Sequence, residues 1–234
     1  MQALKPITII LLLLLPVVVK AGSDAPDGFK PRLSGEIVNL TLQSRGSQFH
    51  NPEWLYGDIE LYSGETVKNK QLRYNGFRDA LIWLHADTQQ SILLDTDLIK
   101  GFILHNPAQN RTMTFERLIP RAGSEGMFAE RLYSGMISLY AHRKIEQTGE
   151  ATQLQGNALR PIAVLEPKPA YYIIDHNQQV IELNRLNRRS LLAAFPEHRR
   201  EIRALLRQNR IGVFNEAELV QAAFHIDQYL QDGQ

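Results

Sequence analysis

Short segments in which apolar and polar residues alternate fill most of the chain between residues 35 and 183. The alternation is clearest at residues 58–62 and 71–75, where every second residue is apolar. Successive side chains of a strand point to opposite faces, so this period of two predicts strands with one buried face. Turn residues such as Ser63-Gly64 and Asn75-Gly76 separate the segments. No helical period lies between them, which predicts an antiparallel meander, sandwich or open barrel.

The same pattern, less regular, predicts the remaining strands. They lie at residues 37–42, 80–84, 92–94, 99–104, 112–115, 127–132, 136–140, 170–175 and 180–183. Turns at Ser134-Gly135 and His176-Asn177 each join two of these segments. Residues 145–169 are rich in Gln, Gly and Pro and lack regular alternation, so they are predicted to form a long surface loop.

A helical period replaces the alternation after the last of these strands. Apolar residues recur at helical spacing from Ile202 to Leu206, and Asn215 is placed to cap a further helix. The chain is therefore predicted to be α+β, with an antiparallel β region at residues 34–183 and two or three short helices at residues 184–234. Short helices are unstable alone, so we expect them to pack on the sheet within a single domain.

The first 21 residues have the features of a secretory signal peptide. Lys5 precedes an uncharged apolar run from Pro6 to Val19, and Ala21 ends a small-residue cleavage site. The run is too short for a membrane-spanning helix, which needs about 20 apolar residues. Cleavage after Ala21 predicts a mature chain exported to the periplasm or the extracellular space. That chain would begin with a flexible lead-in at residues 22–33 and have no transmembrane segment.

Charge and cysteine content narrow the possible functions. The chain has 26 basic and 25 acidic residues, and cleavage would remove two lysines and no acid, leaving 24 and 25. A chain so close to neutral has no general attraction for nucleic acid, and none is expected as a partner. The absence of Cys excludes thiol nucleophiles, thiolate metal sites and disulfides, and no cofactor is expected. Asn39 and Asn110 begin glycosylation acceptor patterns, which matter only in a eukaryotic source.

A series of short motifs runs through the mature chain. They are Leu72-Arg-Tyr-Asn75, Ala80-Leu-Ile-Trp83, Ile99-Lys-Gly-Phe102, Phe115, Leu132-Tyr-Ser-Gly135, Ser138-Leu-Tyr140, Tyr171-Tyr172, Ser190-Leu-Leu192 and Asn209-Arg-Ile211. In this order they resemble a group of uncharacterised exported proteins of Gram-negative bacteria, which have a signal peptide, a strand meander and a helical C-terminus. The resemblance covers most of the mature chain. It implies the same compartment and fold, and no catalytic residue.

No motif specifies an enzyme or a metal site. Residues 122–126 read Ala-Gly-Ser-Glu-Gly, which matches a serine-hydrolase elbow apart from its first glycine. Alternating strands follow where that chemistry needs a helix, so a loop between strands is the better interpretation. The histidines lack the i, i+4 spacing that places two metal ligands on one helix face. His50, His85 and His105 fall at predicted strand ends, where a site could still assemble, although no metal is expected.

The strongest local bias is a run of arginines near the C-terminus. Arg199, Arg203, Arg207 and Arg210 fall on one face of the predicted helix. These four are the candidate residues for binding anionic lipid headgroups, lipopolysaccharide phosphates or an acidic partner. The simpler interpretation is a solvated helix face with no binding role.

The leading hypothesis is a non-enzymatic envelope protein that binds or helps assemble a partner, which would be a protein, a glycan or an anionic lipid headgroup. The alternative is a hydrolase or other enzyme with a dispersed polar site. Titratable side chains converging in one deep pocket would favour the enzyme. A shallow apolar groove or an exposed sheet edge would favour the binding protein.

Overall fold

A computed structural model describes residues 33–40, 42–175 and 177–232. The predicted signal peptide at residues 1–21 lies outside them, as does all but the last residue of the predicted lead-in at residues 22–33. The described residues form fourteen strands followed by three α-helices, which confirms the predicted α+β class. The strands are β1 Gly35–Ile37, β2 Ser44–Arg45, β3 Leu55–Leu61, β4 Thr66–Asn75, β5 Ala80–Leu84, β6 Ser91–Leu94, β7 Ile99–Asn106, β8 Arg111–Leu118, β9 Met127–Ser134, β10 Ser138–His142, β11 Ile145–Gln155, β12 Ala158–Pro167, β13 Ala170–Ile174 and β14 Val180–Leu183. The helices are α1 Arg188–Ala193, α2 Arg199–Gln208 and α3 Glu216–Asp232.

Eleven of the strands form one antiparallel sheet in the order β1-β6-β5-β4-β3-β7-β8-β9-β10-β13-β14. Most neighbours in the sheet are also neighbours in the chain, as a meander requires. β3 illustrates the predicted alternation, because Leu55, Ile59 and Leu61 are buried while Tyr56 and Glu60 are exposed. The predicted first strand is shorter than expected, since β1 ends at Ile37.

The contacts of Tyr74 show that the sheet is strongly curled. It lies on β4, which is four strand spacings from β9, a distance of about 19 Å in a flat sheet. Its hydroxyl nevertheless lies 3.4 Å from the backbone oxygen of Phe128 on β9. Its ring centroid lies 5.0 Å from that of Phe115 on β8. The curl allows one face of a single sheet to enclose an apolar core that contains all three of these residues.

The three helices cover the inner face of the other half of the sheet. α2 contributes Ile202 and Leu206, four residues apart and fully buried, to a core that also contains Leu139 of β10 and Ile173 of β13. The predicted cap of the last helix is present, because the Asn215 side chain accepts a 2.9 Å hydrogen bond from the backbone N–H of Glu218. The helices therefore complete the core of the sheet. α1 and α2 are short, as predicted, but α3 has 17 residues and is longer than predicted, because its buried side continues along most of its length.

Residues 145–169 were predicted to form a long loop, and that prediction is wrong. They contain β11 and β12, which pair antiparallel from Ile145↔Pro167 to Gln155↔Ala158. The short strand β2 adds to β12 in parallel. Most of this hairpin is exposed on both faces, so no buried side selects apolar residues at alternate positions, and the pattern that identifies the other strands is absent.

None of the helices in the described part of the chain is both long enough and apolar enough to cross a membrane.

Candidate functional site

A network of buried and half-buried charges forms where β9, the residue after β10 and the first residue of α3 meet. Glu130 on β9 is a charged residue, yet it occupies an inward position of its strand and is only 2% exposed. Arg143 donates to it from Nε at 2.6 Å. The same guanidinium donates from Nη1 and Nη2 to Glu216, at 2.5 Å and 3.0 Å. Arg143 therefore bridges two carboxylates with both edges of its planar group, a geometry that lysine cannot reproduce.

Arg111 and Tyr171 complete the network. Arg111 pairs with Glu130 and lies 3.9 Å from a carboxylate oxygen of Glu216. The Tyr171 hydroxyl donates a 3.1 Å hydrogen bond to Glu216. Two arginines and two glutamates carry no net charge together. The network has no unmatched charge that would call for a ligand ion.

Burial and charge shift the pKa values in this network. Burial acts to raise the pKa of Glu216, but the hydrogen bond and charge of Arg143 outweigh it and hold that pKa below its usual value. Burial alone would lower the pKa of Arg143, yet its pKa is raised because Glu216 and Glu130 stabilise the cation. Burial, together with Glu216, raises the pKa of Tyr171 to about 12. All of these groups keep their ordinary ionisation near neutral pH.

His50 lies next to the network and stays neutral. Burial, assisted by the positive charges of Arg143 and Arg111, lowers its pKa to about 4. A cavity of about 90 Å³ beside it is lined in part by His50 and Arg143. Pockets that bind small molecules usually enclose about 300–1,000 Å³. The titratable groups therefore converge in a compact ion-paired network that fastens α3 to the sheet.

A second polar contact closes the curl of the sheet. The Asp79 carboxylate accepts a 2.6 Å hydrogen bond from the Tyr74 hydroxyl and 3.2 Å hydrogen bonds from the backbone N–H of Phe128. The Nε2 atom of His142 is buried, lies 3.6 Å from Asp79 and has no hydrogen-bond partner among the described residues. Asp79 thus links the β4–β5 turn to β9 across the enclosed core.

An open groove of about 680 Å³ runs over the sheet across β3, β7, β8 and β9. Four of its charged side chains form two ion pairs within the groove. Lys100 lies 2.5 Å from Glu60, and Arg131 lies 2.7 Å from Glu116. Tyr140, beside the groove, donates a 2.7 Å hydrogen bond to Glu116. The groove has both polar and apolar lining, and its three acidic side chains are matched in number by three basic ones.

The remaining sequence candidates do not converge. Ser124 lies in the turn between β8 and β9, where its hydroxyl donates to the backbone oxygen of Arg121 at 2.7 Å, which confirms the loop interpretation. The His105 ring pairs with Thr112, 3.3 Å away, and the His85 ring contacts that of Trp83 at a tilt of 47°. In residues 33–40, 42–175 and 177–232, no group of three or more His, Asp or Glu is arranged to hold a metal ion.

The four candidate arginines are all exposed. Arg199, Arg203 and Arg207 lie on α2, one turn apart. Arg210 was predicted to continue this face, but α2 ends at residue 208 and Arg210 follows in a turn with φ of 57°. None of the four forms an ion pair with an acidic side chain in the described part of the chain. Arg199, Arg203, Arg207 and Arg210 together form the arginine stripe.

The sequence analysis missed the network around Arg143. One signal for it was available, because Glu130 falls on the inward side of an alternating strand where a charge requires a partner. Its partners are not identifiable from spacing, since Glu216 lies 73 residues from Arg143 in the chain.

The chain matches no protein-family model, no curated protein and no solved structure.

Proposed function

We propose that this is an exported, non-enzymatic protein that binds an anionic, phosphate-bearing lipid surface through the arginine stripe. The compartment follows from the predicted signal peptide and from the resemblance to exported bacterial proteins. The ligand follows from the chemistry of the guanidinium group, which pairs with phosphate oxygens through two parallel hydrogen bonds.

One observation carries the proposal. The arginines of the stripe are exposed, lie close together in the chain and have no acidic partner among the described residues, whereas four other arginines are ion-paired. Arg131 is paired with Glu116, and Arg143 is paired with two carboxylates. α2 carries four arginines against one acidic residue, Glu201. This excess of positive charge creates a local potential that attracts an anionic surface even when the whole chain is nearly neutral.

An exposed aromatic residue close to the stripe supports a lipid surface over a soluble anion. Phe214, four residues after Arg210, is 78% exposed. The residue before it, Val213, is fully buried and has φ of 63°, a conformation that β-branched residues rarely adopt. Basic residues beside an exposed aromatic side chain are typical of segments that lie in a membrane interface.

The alternative function, an enzyme with a dispersed polar site, ranks second. It would use a dense group of titratable side chains such as the one around Arg143 and His50. Those side chains are committed to one another by ion pairs, beside a cavity of about 90 Å³. A glycan or an acidic protein partner would meet the same arginines, and the experiment below separates these from lipid.

The experiment is co-sedimentation of the protein, lacking residues 1–21, with lipid vesicles. We expect binding to vesicles of phosphatidylcholine with phosphatidylglycerol and no binding to phosphatidylcholine alone. Binding should fall steeply as salt rises, because the screening length falls from about 10 Å at 0.1 M to about 3 Å at 1 M. Binding to neither vesicle at low salt would refute the proposal. If the protein binds lipopolysaccharide but not phosphatidylglycerol vesicles, the stripe still recognises phosphate, and the phosphate belongs to lipopolysaccharide and not to a phospholipid.

A further inference from the structure

The outer edge of β11 is an unpaired strand edge. β11 is the first strand of the three-stranded sheet β11-β12-β2, and it pairs with β12 on one side only. No other strand within the described residues pairs with its second side. Residues 146–155 are exposed or half-buried along this edge. An unpaired edge presents a row of backbone N–H and C=O groups that can pair with another extended chain.

The hairpin turn determines which backbone groups are available. Gly156 and Asn157 form a two-residue turn, and Gly156 has φ of 60°. In such a turn the flanking pair, Gln155 and Ala158, closes the hydrogen-bonded ladder. Hydrogen-bonded and non-hydrogen-bonded pairs then alternate along an antiparallel ladder.

This alternation assigns the outward groups to Glu150, Thr152 and Leu154. Each lies in a non-hydrogen-bonded pair with β12, so its N–H and C=O point away from the hairpin. Pro161 supports the assignment. It is paired with Thr152 and has no backbone N–H. A proline fits in β12 only at a position that donates no hydrogen bond to β11, as in a non-hydrogen-bonded pair.

The edge lacks most features that protect exposed strands. β11 contains no Pro, Lys or Arg, which commonly block edge pairing. A bulge between Gln147 and Gly149 interrupts the register near the base of the hairpin. The segment from Glu150 to Leu154 lies beyond it with regular pairing.

Exposed leucines mark the same end of the hairpin. Leu154 and Leu159 face each other across β11 and β12 and are 65% and 71% exposed. Side chains of an added strand would lie beside Glu150, Thr152 and Leu154, which share one face because alternate residues of a strand do.

We propose that the β11 edge from Glu150 to Leu154 binds an extended peptide segment of a partner protein by strand addition. The chemistry of the segment follows from the edge. An apolar residue would lie beside Leu154, and a basic residue four positions away would lie beside Glu150. Backbone pairing would supply affinity, and these two side chains would supply selectivity.

Charge favours such a peptide over a second copy of this chain. β11 contributes Glu146 and Glu150 and no basic residue. Glu146 is already paired with Lys144 at 2.6 Å, whereas Glu150 has no ion pair within the described part of the chain. A second β11 edge would bring further acidic residues, while a basic peptide complements Glu150. This surface is separate from the arginine stripe.

The test measures fluorescence anisotropy of a blocked, labelled peptide, Thr-Ile-Gln-Thr-Gln-Lys-Thr, added to the protein. In antiparallel register its Ile lies beside Leu154 and its Lys beside Glu150. We expect Thr152→Pro, which removes one outward N–H, to weaken binding by at least about tenfold, and Thr152→Ala to leave it unchanged. Replacing the peptide Lys by Glu should weaken binding to the same degree, and Glu150→Lys should reverse that preference.

Two further measurements keep the test decisive. A peptide N-methylated at Ile, the central Thr and Lys should not bind, because these three residues would donate their N–H groups to β11. This result does not depend on the folding of any protein variant. Arg203→Gln with Arg207→Gln should leave peptide binding unchanged, which separates this surface from the arginine stripe. Absence of wild-type binding, or equal binding of the methylated peptide, would overturn the proposal. So would a wild-type dimer that Thr152→Pro dissociates, because a second copy would then occupy the edge.

Discussion

Arg203 and Arg207 lie one helical turn apart on α2, and each directly follows a fully buried residue, Ile202 or Leu206. The buried residues hold the helix to the sheet, while both arginines are exposed and unpaired with any described acidic side chain. Different residues of this helix therefore provide its packing against the sheet and its positive charge. The arginines can be changed without disturbing the core, which makes their role testable.

The first prediction concerns the pH dependence of stability that His50 introduces. Its pKa is about 4 in the folded protein, against 6.5 in an unfolded chain. As pH falls between these values, the unfolded chain takes up a proton that the folded protein does not, so the free energy of unfolding decreases. The decrease is up to about 3 kcal/mol and is complete near the folded pKa.

Chemical denaturation at about pH 7 and about pH 5 tests this prediction. His50→Gln should lose less stability over this interval than the wild type. The control is the same substitution at His105, which is exposed and lies outside the network. Equal pH dependence for wild type and His50→Gln would contradict the account of the buried network.

The second prediction concerns the contact between α3 and the β9–β10 turn. Asp227 is buried and accepts a 3.0 Å hydrogen bond from the backbone N–H of Ile137. A methyl group at Gly135 would overlap the Asp227 carboxylate. We expect Gly135→Ala to destabilise the protein by about 1–3 kcal/mol.

A double-mutant cycle identifies the cause of that loss. Asp227→Ala alone should destabilise the protein by about 1–3 kcal/mol, because the N–H of Ile137 loses its partner. Adding Gly135→Ala to it should then cost much less than in the wild type, since the overlapping carboxylate is gone. Gly149→Ala is the control, because nothing lies within 4 Å of its added methyl group. Strictly additive losses would mean that Asp227 and residue 135 do not interact.

The third prediction concerns export. Cleavage of the predicted signal peptide after Ala21 would leave Gly22 as the mature N-terminus. Mass spectrometry of protein purified from its native host should therefore detect an N-terminal peptide that begins at or near Gly22. Recovery of the chain from the cytoplasmic fraction with Met1 intact would show that the signal peptide prediction is wrong.

Patterns of apolar residues along the chain predicted those strands and helices that have one buried face. The sheet strands with one buried face, such as β3, were identified because burial selects apolar residues at every second position. α2 was identified because Ile202 and Leu206 lie at helical spacing. Arg210 was assigned to the helix face because its spacing fits, but the chain leaves helical geometry at the end of α2, and spacing alone does not reveal that turn.

Features that depend on contacts distant in the chain were not predictable. Arg143 meets Glu216 only because the sheet brings α3 back to β9, and no pattern in the sequence links the two. The β11–β12 hairpin was missed for a different reason. It is stabilised by backbone pairing with both faces largely exposed, so its side chains carry no signal of burial.

Vesicle binding by an arginine variant, compared with a variant matched in charge, decides whether the arginine stripe is the lipid-binding surface. Arg203→Gln with Arg207→Gln removes two charges from the stripe. Arg121→Gln with Arg160→Gln removes two exposed charges elsewhere. Both variants should unfold within about 0.5 kcal/mol of the wild type, because exposed substitutions rarely disturb packing.

Each arginine near an anionic surface contributes about 1 kcal/mol, so we expect the stripe variant to bind phosphatidylglycerol vesicles about 30-fold more weakly than the wild type. The matched variant should bind like the wild type. Equal weakening of both variants would mean that only total charge matters. Unchanged binding of the stripe variant would show that the arginine stripe is not the binding site.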